Sequence, residues 1–154
     1  CAGVKIELVI RGICCLKAGV AGLSENISVH SIVGNFLEHA RIFCFENDGS
    51  PEVYMGSADW MPRNLDKRVE ILFPVEDEAL KEQVIHILQV QLEDNVKAHI
   101  LQPDGTYEKI DKRGKGLVTA QLQFCEEAIA AASARKQEES VDVHETRRFA
   151  PAEA

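Results

Sequence analysis

The stretch EVYMGSADWMPRN, residues 52–64, sets a short apolar strand directly beside small, charged and amide side chains. The strand centred on residues 53–55 runs without a spacer into Gly56 and Ser57. An acid, a cation and an amide follow as Asp59, Arg63 and Asn64. Glycine, aspartate, asparagine and proline are common wherever a chain turns, so a turn accounts for part of this composition. A turn does not account for the cation, which raises the question of a ligand.

Strands are predicted on both sides of this stretch. The four predicted strands are VKIELVI (4–10), ARIFCFE (40–46), EVYMGS (52–57) and RVEILFPV (68–75). The first alternates apolar and polar residues, which is typical of a half-buried strand. The fourth is almost continuously apolar, so we expect it to be central and buried.

Helices are predicted mainly in the second half of the chain. Leu80, Val84 and Ile87 recur at i, i+4 and i+7, which places them on one face of an amphipathic helix. A second amphipathic helix is predicted over residues 118–137, and SIVGNFLE (31–38) is predicted as a short helix between the first two strands. Early strands and later helices indicate the α/β class, with a mixed β-sheet flanked by helices.

Length and composition fit one globular domain. The chain has 154 residues, of which 45% are hydrophobic and 27% charged. We expect the domain to span residues 1–137 and the polar residues 138–154 to form a mobile tail. Because the chain begins at Cys1 and not at methionine, we expect a fragment of a longer protein. Its apolar runs are far shorter than the roughly 20 residues of a bilayer span and no secretory leader is visible, so a cytoplasmic location is expected.

Charge and cysteine content narrow the function. The net charge of −8 argues against a general nucleic-acid binder. Residues 1–75 carry 7 Lys and Arg against 9 Asp and Glu, and residues 76–154 carry 10 against 16. An anion site is therefore expected to use a few local cations in the first half. The 5 cysteines, none in a C-x-x-C pair, favour reduced thiols over a disulfide framework or a zinc site.

Residues that could carry chemistry lie at the ends of predicted strands. Arg11 follows the first strand, while His39 and Arg41 flank the start of the second. Ligands of α/β sheets commonly bind at such ends. A histidine beside arginines suits phosphoryl or phosphodiester chemistry, because imidazole can attack phosphorus or move a proton and guanidinium can hold two phosphate oxygens. Simpler roles are open as well: Arg41 could pair with Glu38, and Trp60 is interpreted as a packed loop anchor rather than as a base-stacking platform.

The spacing His39-x-Arg41-(x4)-Glu46, followed by Gly56-Ser57 and later Asn64, resembles the HxK(x4)D…GSxxN motif of the phospholipase D superfamily. Arg replaces Lys, Glu replaces Asp, and the last connection is longer. Four longer stretches are more specific, namely IELVIRGICCL (6–16), SENISVHSIVGNFLEHARIFCFEN (24–47), VYMGSADWMPRNLDKRVEILFPV (53–75) and DNVKAHILQPDGTYEK (94–109). They look like the C-terminal catalytic domain of polyphosphate kinase of the long, histidine-phosphorylating type. The resemblance covers about residues 3–110 and implies a phospholipase-D-like half-domain.

The resemblance also implies an activity and partners. Members of that family transfer the γ-phosphoryl group of ATP reversibly to inorganic polyphosphate, through a phosphohistidine and with Mg²⁺. The phosphohistidine would belong to a preceding half that the present 154 residues lack, and most of the Mg²⁺ site would lie outside them too. No metal ligand is therefore expected in this chain. Expected partners are ATP or ADP, polyphosphate, the preceding catalytic domain and further copies of the enzyme, with peripheral association at the inner membrane left open.

Particular residues take roles from the same resemblance. His39 matches a nucleotide-contacting position and is expected to give or take a proton in catalysis, and Arg11 matches a second ATP-contacting position. Candidate phosphate or loop contacts are Arg41, Ser57, Asp59, Arg63 and Asn64. Without the preceding half, the chain alone is expected to be inactive as a kinase.

Two other functions are left open. A phospholipase-D-like hydrolase or nuclease half would homodimerise so that two copies of His39 meet, although Arg41 in place of lysine disfavours it. A non-catalytic interaction or oligomerisation domain would instead use the acidic helices predicted at 77–93 and 118–137 as its partner surface.

Overall fold

Two β-sheets form the core of the first of two compact units, which runs as far as Thr119. The computed structural model describes the backbone of residues 2–148 and the side chains of residues 2–137. The strands are β1 (Ile6–Val9), β2 (Ile27–Ile32), β3 (Ile42–Phe45), β4 (Glu52–Gly56), β5 (Leu72–Pro74), β6 (Ala98–Leu101) and β7 (Tyr107–Lys109). One sheet has the order β1-β2-β6-β7 and the other the order β3-β4-β5.

The four-stranded sheet is mixed. β1 runs parallel to β2, with Ile6 opposite Ile27, whereas β6 runs antiparallel to β2 and β7 runs antiparallel to β6. Val29 of β2 and Leu101 of β6 are buried with Ala18, which comes from the loop before β2. Burial of these apolar side chains holds the sheet and this Gly-rich loop together.

Helix α2 connects the two sheets. The helices are α1 (Pro62–Lys67), α2 (Glu78–Glu93) and α3 (Ala120–Arg148). The Asp77 carboxylate caps α2 by accepting a hydrogen bond from the Leu80 N–H at 2.9 Å. Because α2 contacts β1 as well as β3 and β4, it packs against both sheets. α3 belongs to the second compact unit, which begins at Ala120.

The predicted α/β class with a mixed sheet and flanking helices is confirmed, but the short helix predicted at 31–38 is wrong. Residues 31 and 32 end β2, and residues 33–38 are not helical. Ile32 is buried in a strand rich in β-branched residues, which favour sheet over helix. Gly34 and Asn35 follow, and both are poor helix formers.

The central, buried strand predicted at 68–75 is also wrong. β5 is an edge strand, and its Leu72 is 63% exposed. Pro74 has no N–H to offer a further strand, so it suits an edge. All three residues of β5 are exposed: Phe73 lines an apolar groove of about 330 Å³ against α2, and Leu72 alternates to the opposite face.

The C-terminal helix is longer than predicted. α3 extends to Arg148, so residues 138–148 of the predicted tail are helical, and the Ala-rich segment before them favours a helix. Residues 149–154 lie outside the described residues, and the boundary at 137 and the mobility of the tail stay predictions. In the described part of the chain, no helix has both the length and the apolar character to cross a membrane. The described cysteines, Cys14, Cys15, Cys44 and Cys125, are free, and Cys1 lies outside the described residues.

His30, in β2, should make the domain sensitive to acid. Its buried Nδ1 has no hydrogen-bond partner among the described residues. Burial lowers the pKa of His30 below its ordinary value of 6.5, although the charge of Glu7 opposes this shift. The folded domain therefore takes up this proton less readily than the unfolded chain does. Stability that is fully present above pH 6.5 should be lost as the pH falls from 6.5 through the lowered pKa.

Urea denaturation above and below pH 6.5 measures this loss. The variant His30→Gln should flatten the pH dependence of the free energy of unfolding in that range. The control His86→Gln, at an exposed position on α2, should leave it unchanged. An identical pH dependence in the wild type and in His30→Gln would contradict the assignment.

Candidate functional site

Strand ends bring four of the predicted residues to one region. Arg11 lies just after β1, Arg41 just before β3 and Asp59 just after β4, while His39 precedes Arg41 by two residues. Because β3 and β4 are antiparallel, the start of β3 lies beside the end of β4, at one end of the strands. There the Gly56 N–H donates to the Arg41 carbonyl at 3.0 Å.

An ion pair orders the region. The Arg41 Nε donates to the Asp59 Oδ1 at 2.9 Å, and 24% and 48% of the two side chains are exposed. Arg41, for which a pair with Glu38 was one prediction, thus pairs with Asp59 across the two strands. The bond uses one of the five N–H donors of the guanidinium, so further donors remain to hold an anion.

The charges of Arg11 and His39 also reach Asp59. The pKa of Asp59 is lowered below its ordinary value, first by the hydrogen bond from Arg41 and then by the charges of Arg41, His39 and Arg11. We call Arg11, His39 and Arg41 the cationic cluster. Arg11 and His39 are exposed, and within the described residues their side chains form no hydrogen bond or ion pair. The cluster can therefore accept an anionic ligand.

Ser57 is held by Glu70, a residue that sequence reasoning missed. The Ser57 Oγ donates to the Glu70 carboxylate and accepts from the Ile71 N–H at 3.0 Å. The pKa of Arg41 is raised first by its hydrogen bond to Asp59 and, less strongly, by the charge of Glu70. In the sequence, the only indication that Glu70 has a partner was its position as a single acid in the otherwise apolar segment VEILF. The hydroxyl proton of Ser57 is donated to Glu70, and its oxygen accepts from Ile71. These two hydrogen bonds hold the end of β4 against the segment that leads into β5.

Gly56 is required where β4 and β5 approach each other. A Cβ at this position would lie 3.1 Å from the Ile71 carbonyl oxygen and 3.2 Å from the Leu72 Cδ1, which is tighter than ordinary van der Waals contact. The adjoining Ser57 N–H donates to the same Ile71 carbonyl at 3.0 Å. Close strand packing therefore explains the glycine of the Gly-Ser pair.

The segment after Asp59 ends in α1. Pro62 begins this helix, where its missing N–H costs nothing. Arg63 is exposed on α1, whereas Asn64 is buried, with 6% of its surface exposed. Of the two predicted contacts, the Arg63 side chain is thus accessible from solvent, whereas Asn64 is not.

Trp60 is not the packed anchor that the sequence suggested, because it is 76% exposed. Its ring stacks on Phe43, with centroids 5.5 Å apart and planes at 19°. Side chains alternate along a strand, so Phe43 shares a sheet face with Arg41. One face of the indole is covered by Phe43, and most of the remaining ring surface is exposed.

The Glu46 position of the resembled motif is not part of this region. Glu46 lies beyond the opposite end of β3, where its carbonyl accepts from the Gly49 N–H at 3.1 Å in a short 3-10 turn. Among the side chains of residues 2–137, no group of three or more His, Cys, Asp or Glu is arranged to hold a metal ion.

Sequence comparison relates the chain to polyphosphate kinases. The family model described as polyphosphate kinase C-terminal domain 2 matches residues 1–121. The chain is 50% identical over 133 residues to polyphosphate kinase of Lactiplantibacillus plantarum and 61% identical over 106 residues to polyphosphate kinase 1 of Chlorobaculum tepidum. These alignments cover 86% and 69% of this chain but 18% and 15% of the two relatives.

A solved structure has a similar fold. The crystal structure of polyphosphate kinase from Porphyromonas gingivalis matches with a TM-score of 0.74 and 40% identity, over 90% of this chain and 20% of that chain. The present chain thus spans a fifth or less of the length of these relatives. The expected phospholipase-D-like half-domain is confirmed by this match. From its sequence and its fold, the chain belongs to the polyphosphate kinase C-terminal domain 2 family.

Proposed function

We propose that this domain forms one wall of the phosphate-handling pocket of a polyphosphate kinase, an ATP:polyphosphate phosphotransferase. In the complete enzyme, the γ-phosphoryl group of ATP moves reversibly to inorganic polyphosphate through a phosphohistidine on the preceding catalytic domain. The observation that carries the proposal is the cationic cluster, whose three members act on the single carboxylate of Asp59. Membership of the family supports the same activity.

Each member of the cluster has a proposed role. Phosphoryl transfer depends on charge stabilisation more than on covalent help, so cations beside the transferred group contribute most. Arg11 clamps the phosphates of the nucleotide, and Arg41, oriented by Asp59, presents its remaining donors to the same group. His39 gives a proton or a hydrogen bond to the phosphate oxygen that leaves the γ-phosphorus. Arg63, exposed on α1, is a further contact for the polyphosphate chain.

Mg²⁺ is proposed for the complete enzyme, with most of its ligands outside this chain. The described residues do not fit such a site, because none of their His, Cys, Asp and Glu side chains form a group of three or more that could hold a metal ion.

The preceding catalytic domain is proposed to face the cationic cluster across the pocket. Further copies of the enzyme are proposed as oligomer partners, and the cytoplasm, where ATP is available, as its location.

The isolated chain of residues 1–154 should not turn over, because the phosphohistidine is proposed to lie in another domain. The measurement is the transfer of labelled γ-phosphoryl from ATP to polyphosphate in the presence of Mg²⁺. The full-length protein and the isolated chain are compared at equal molar concentration, and only the former should be active. Turnover by the isolated chain would refute the division of labour between domains, and inactivity of both would refute the kinase assignment.

A further inference from the structure

An exposed aromatic stack lies beside the cationic cluster. Trp60, which is 76% exposed, stacks on Phe43. Trp60 directly follows Asp59, whose carboxylate holds Arg41. Phe43 follows Arg41 by two residues on the same sheet face, a rise of roughly 7 Å. The stack therefore borders the proposed phosphate site.

The stack presents an aromatic plane in a fixed orientation. Phe43 supports one face of the indole at a centroid distance of 5.5 Å, so the ring is oriented before any ligand arrives. Such a plane suits a nucleobase, because every base has a π-face that can stack on an aromatic side chain. A polyphosphate chain has no aromatic part and gains nothing from this surface. An aromatic plane beside cations thus fits a nucleotide better than a bare phosphate chain.

We propose that Trp60, backed by Phe43, is the base-stacking platform of the nucleotide site. The base of ATP or ADP lies on the open face of the indole, and its phosphates lie on Arg11 and Arg41. The inference rests on the proposed function, since it requires the nucleotide phosphates at the cationic cluster. Trp60 would distinguish the nucleotide from polyphosphate, two substrates that otherwise present the same phosphate groups. Because stacking tolerates any base, this contact gives little preference for adenine over guanine.

The test compares two ligands that carry the same number of phosphates, a non-hydrolysable ATP analogue and inorganic tripolyphosphate. Their affinities for the full-length protein are measured by calorimetry. The variant Trp60→Leu should bind the ATP analogue about tenfold or more weakly, and tripolyphosphate less than about twofold more weakly. Trp60→Phe, which keeps an aromatic plane, should retain most of the affinity. The matched control Phe45→Leu removes another exposed aromatic ring, near the opposite end of β3, and should change neither affinity.

Two outcomes would overturn the inference. One is an unchanged affinity of Trp60→Leu for the ATP analogue. The other is an equal loss for both ligands, which would mean that Trp60 supports the local fold or is covered by another domain. Arg11→Ala separates these failures from a failure of the proposed function, because it should weaken both ligands. If Arg11→Ala weakens neither ligand, the phosphate site itself is wrong, and the platform is overturned with it.

Discussion

His39→Ala in the full-length protein should slow phosphoryl transfer from ATP to polyphosphate by about 10²–10⁴-fold, the usual contribution of a positioned acid or base. Arg11→Ala should slow it by about 10²–10³-fold, as the loss of one preorganised donor to a developing negative charge does. Both side chains are exposed at strand ends, so neither substitution should impair folding. The loss should appear in kcat for His39→Ala, and in both kcat and KM for Arg11→Ala.

Two controls remove the same side chains elsewhere. One is His86→Ala, on α2. The other is Arg113→Ala, in the turn after β7, where the Arg113 Nη2 lies 2.8 Å from the Asp111 Oδ2. Both controls should retain wild-type rates. If His39→Ala and Arg11→Ala also turn over like the wild type while they remain folded, the domain is a scaffold and the cationic cluster takes no part in the reaction.

The strands around the site could be predicted because their signals are local, whereas the ion pair could not. Alternation marks β1, and the Gly56-Ser57 pair marks the end of β4. The partner of Arg41 depends instead on the antiparallel register in which Ile42 faces Met55. That register is a tertiary property, so the sequence left the partner of Arg41 open.

Apolar content does not say whether a strand lies at the centre or at the edge of a sheet. The run that contains β5 is apolar, yet Leu72 is exposed on one face while Phe73 lines the groove against α2 on the other. Trp60 misled in a similar way, because large aromatic residues are usually well buried. The exposure of Trp60 depends on the positions of Phe43 and α1, which are set by the tertiary structure.

Asp94 is a further residue whose environment depends on tertiary structure, because aspartate is mostly exposed in folded proteins. In the structure it is fully buried, at 0% exposure. Its Oδ1 accepts hydrogen bonds from the Val96 N–H at 3.0 Å, the Lys97 N–H at 2.7 Å and the Ala98 N–H at 3.2 Å. These bonds lead the chain from the end of α2 into β6, which lies between β2 and β7.

Asp94→Ala should therefore lower the free energy of unfolding by about 3 kcal/mol, because it leaves buried or partly buried N–H groups without their acceptor. That change shifts the unfolding equilibrium by more than about a hundredfold. The N–H of Ala98 contributes most to the cost, because this residue is itself buried and water cannot replace the carboxylate there. The measurement is the urea midpoint of the chain of residues 1–154, with an unchanged m-value as the sign that the unfolding reaction is the same.

Asp94→Asn is the matched control, because its amide oxygen can still accept from the same N–H groups. Asp104→Ala is the second control: there an exposed Oδ1 accepts from the Thr106 N–H at 2.9 Å. Its loss should change the free energy of unfolding by less than about 0.5 kcal/mol, since water can take its place. If Asp94→Ala costs no more than Asp104→Ala, apolar packing of β6 alone holds the entry to this strand, and the buried carboxylate is dispensable.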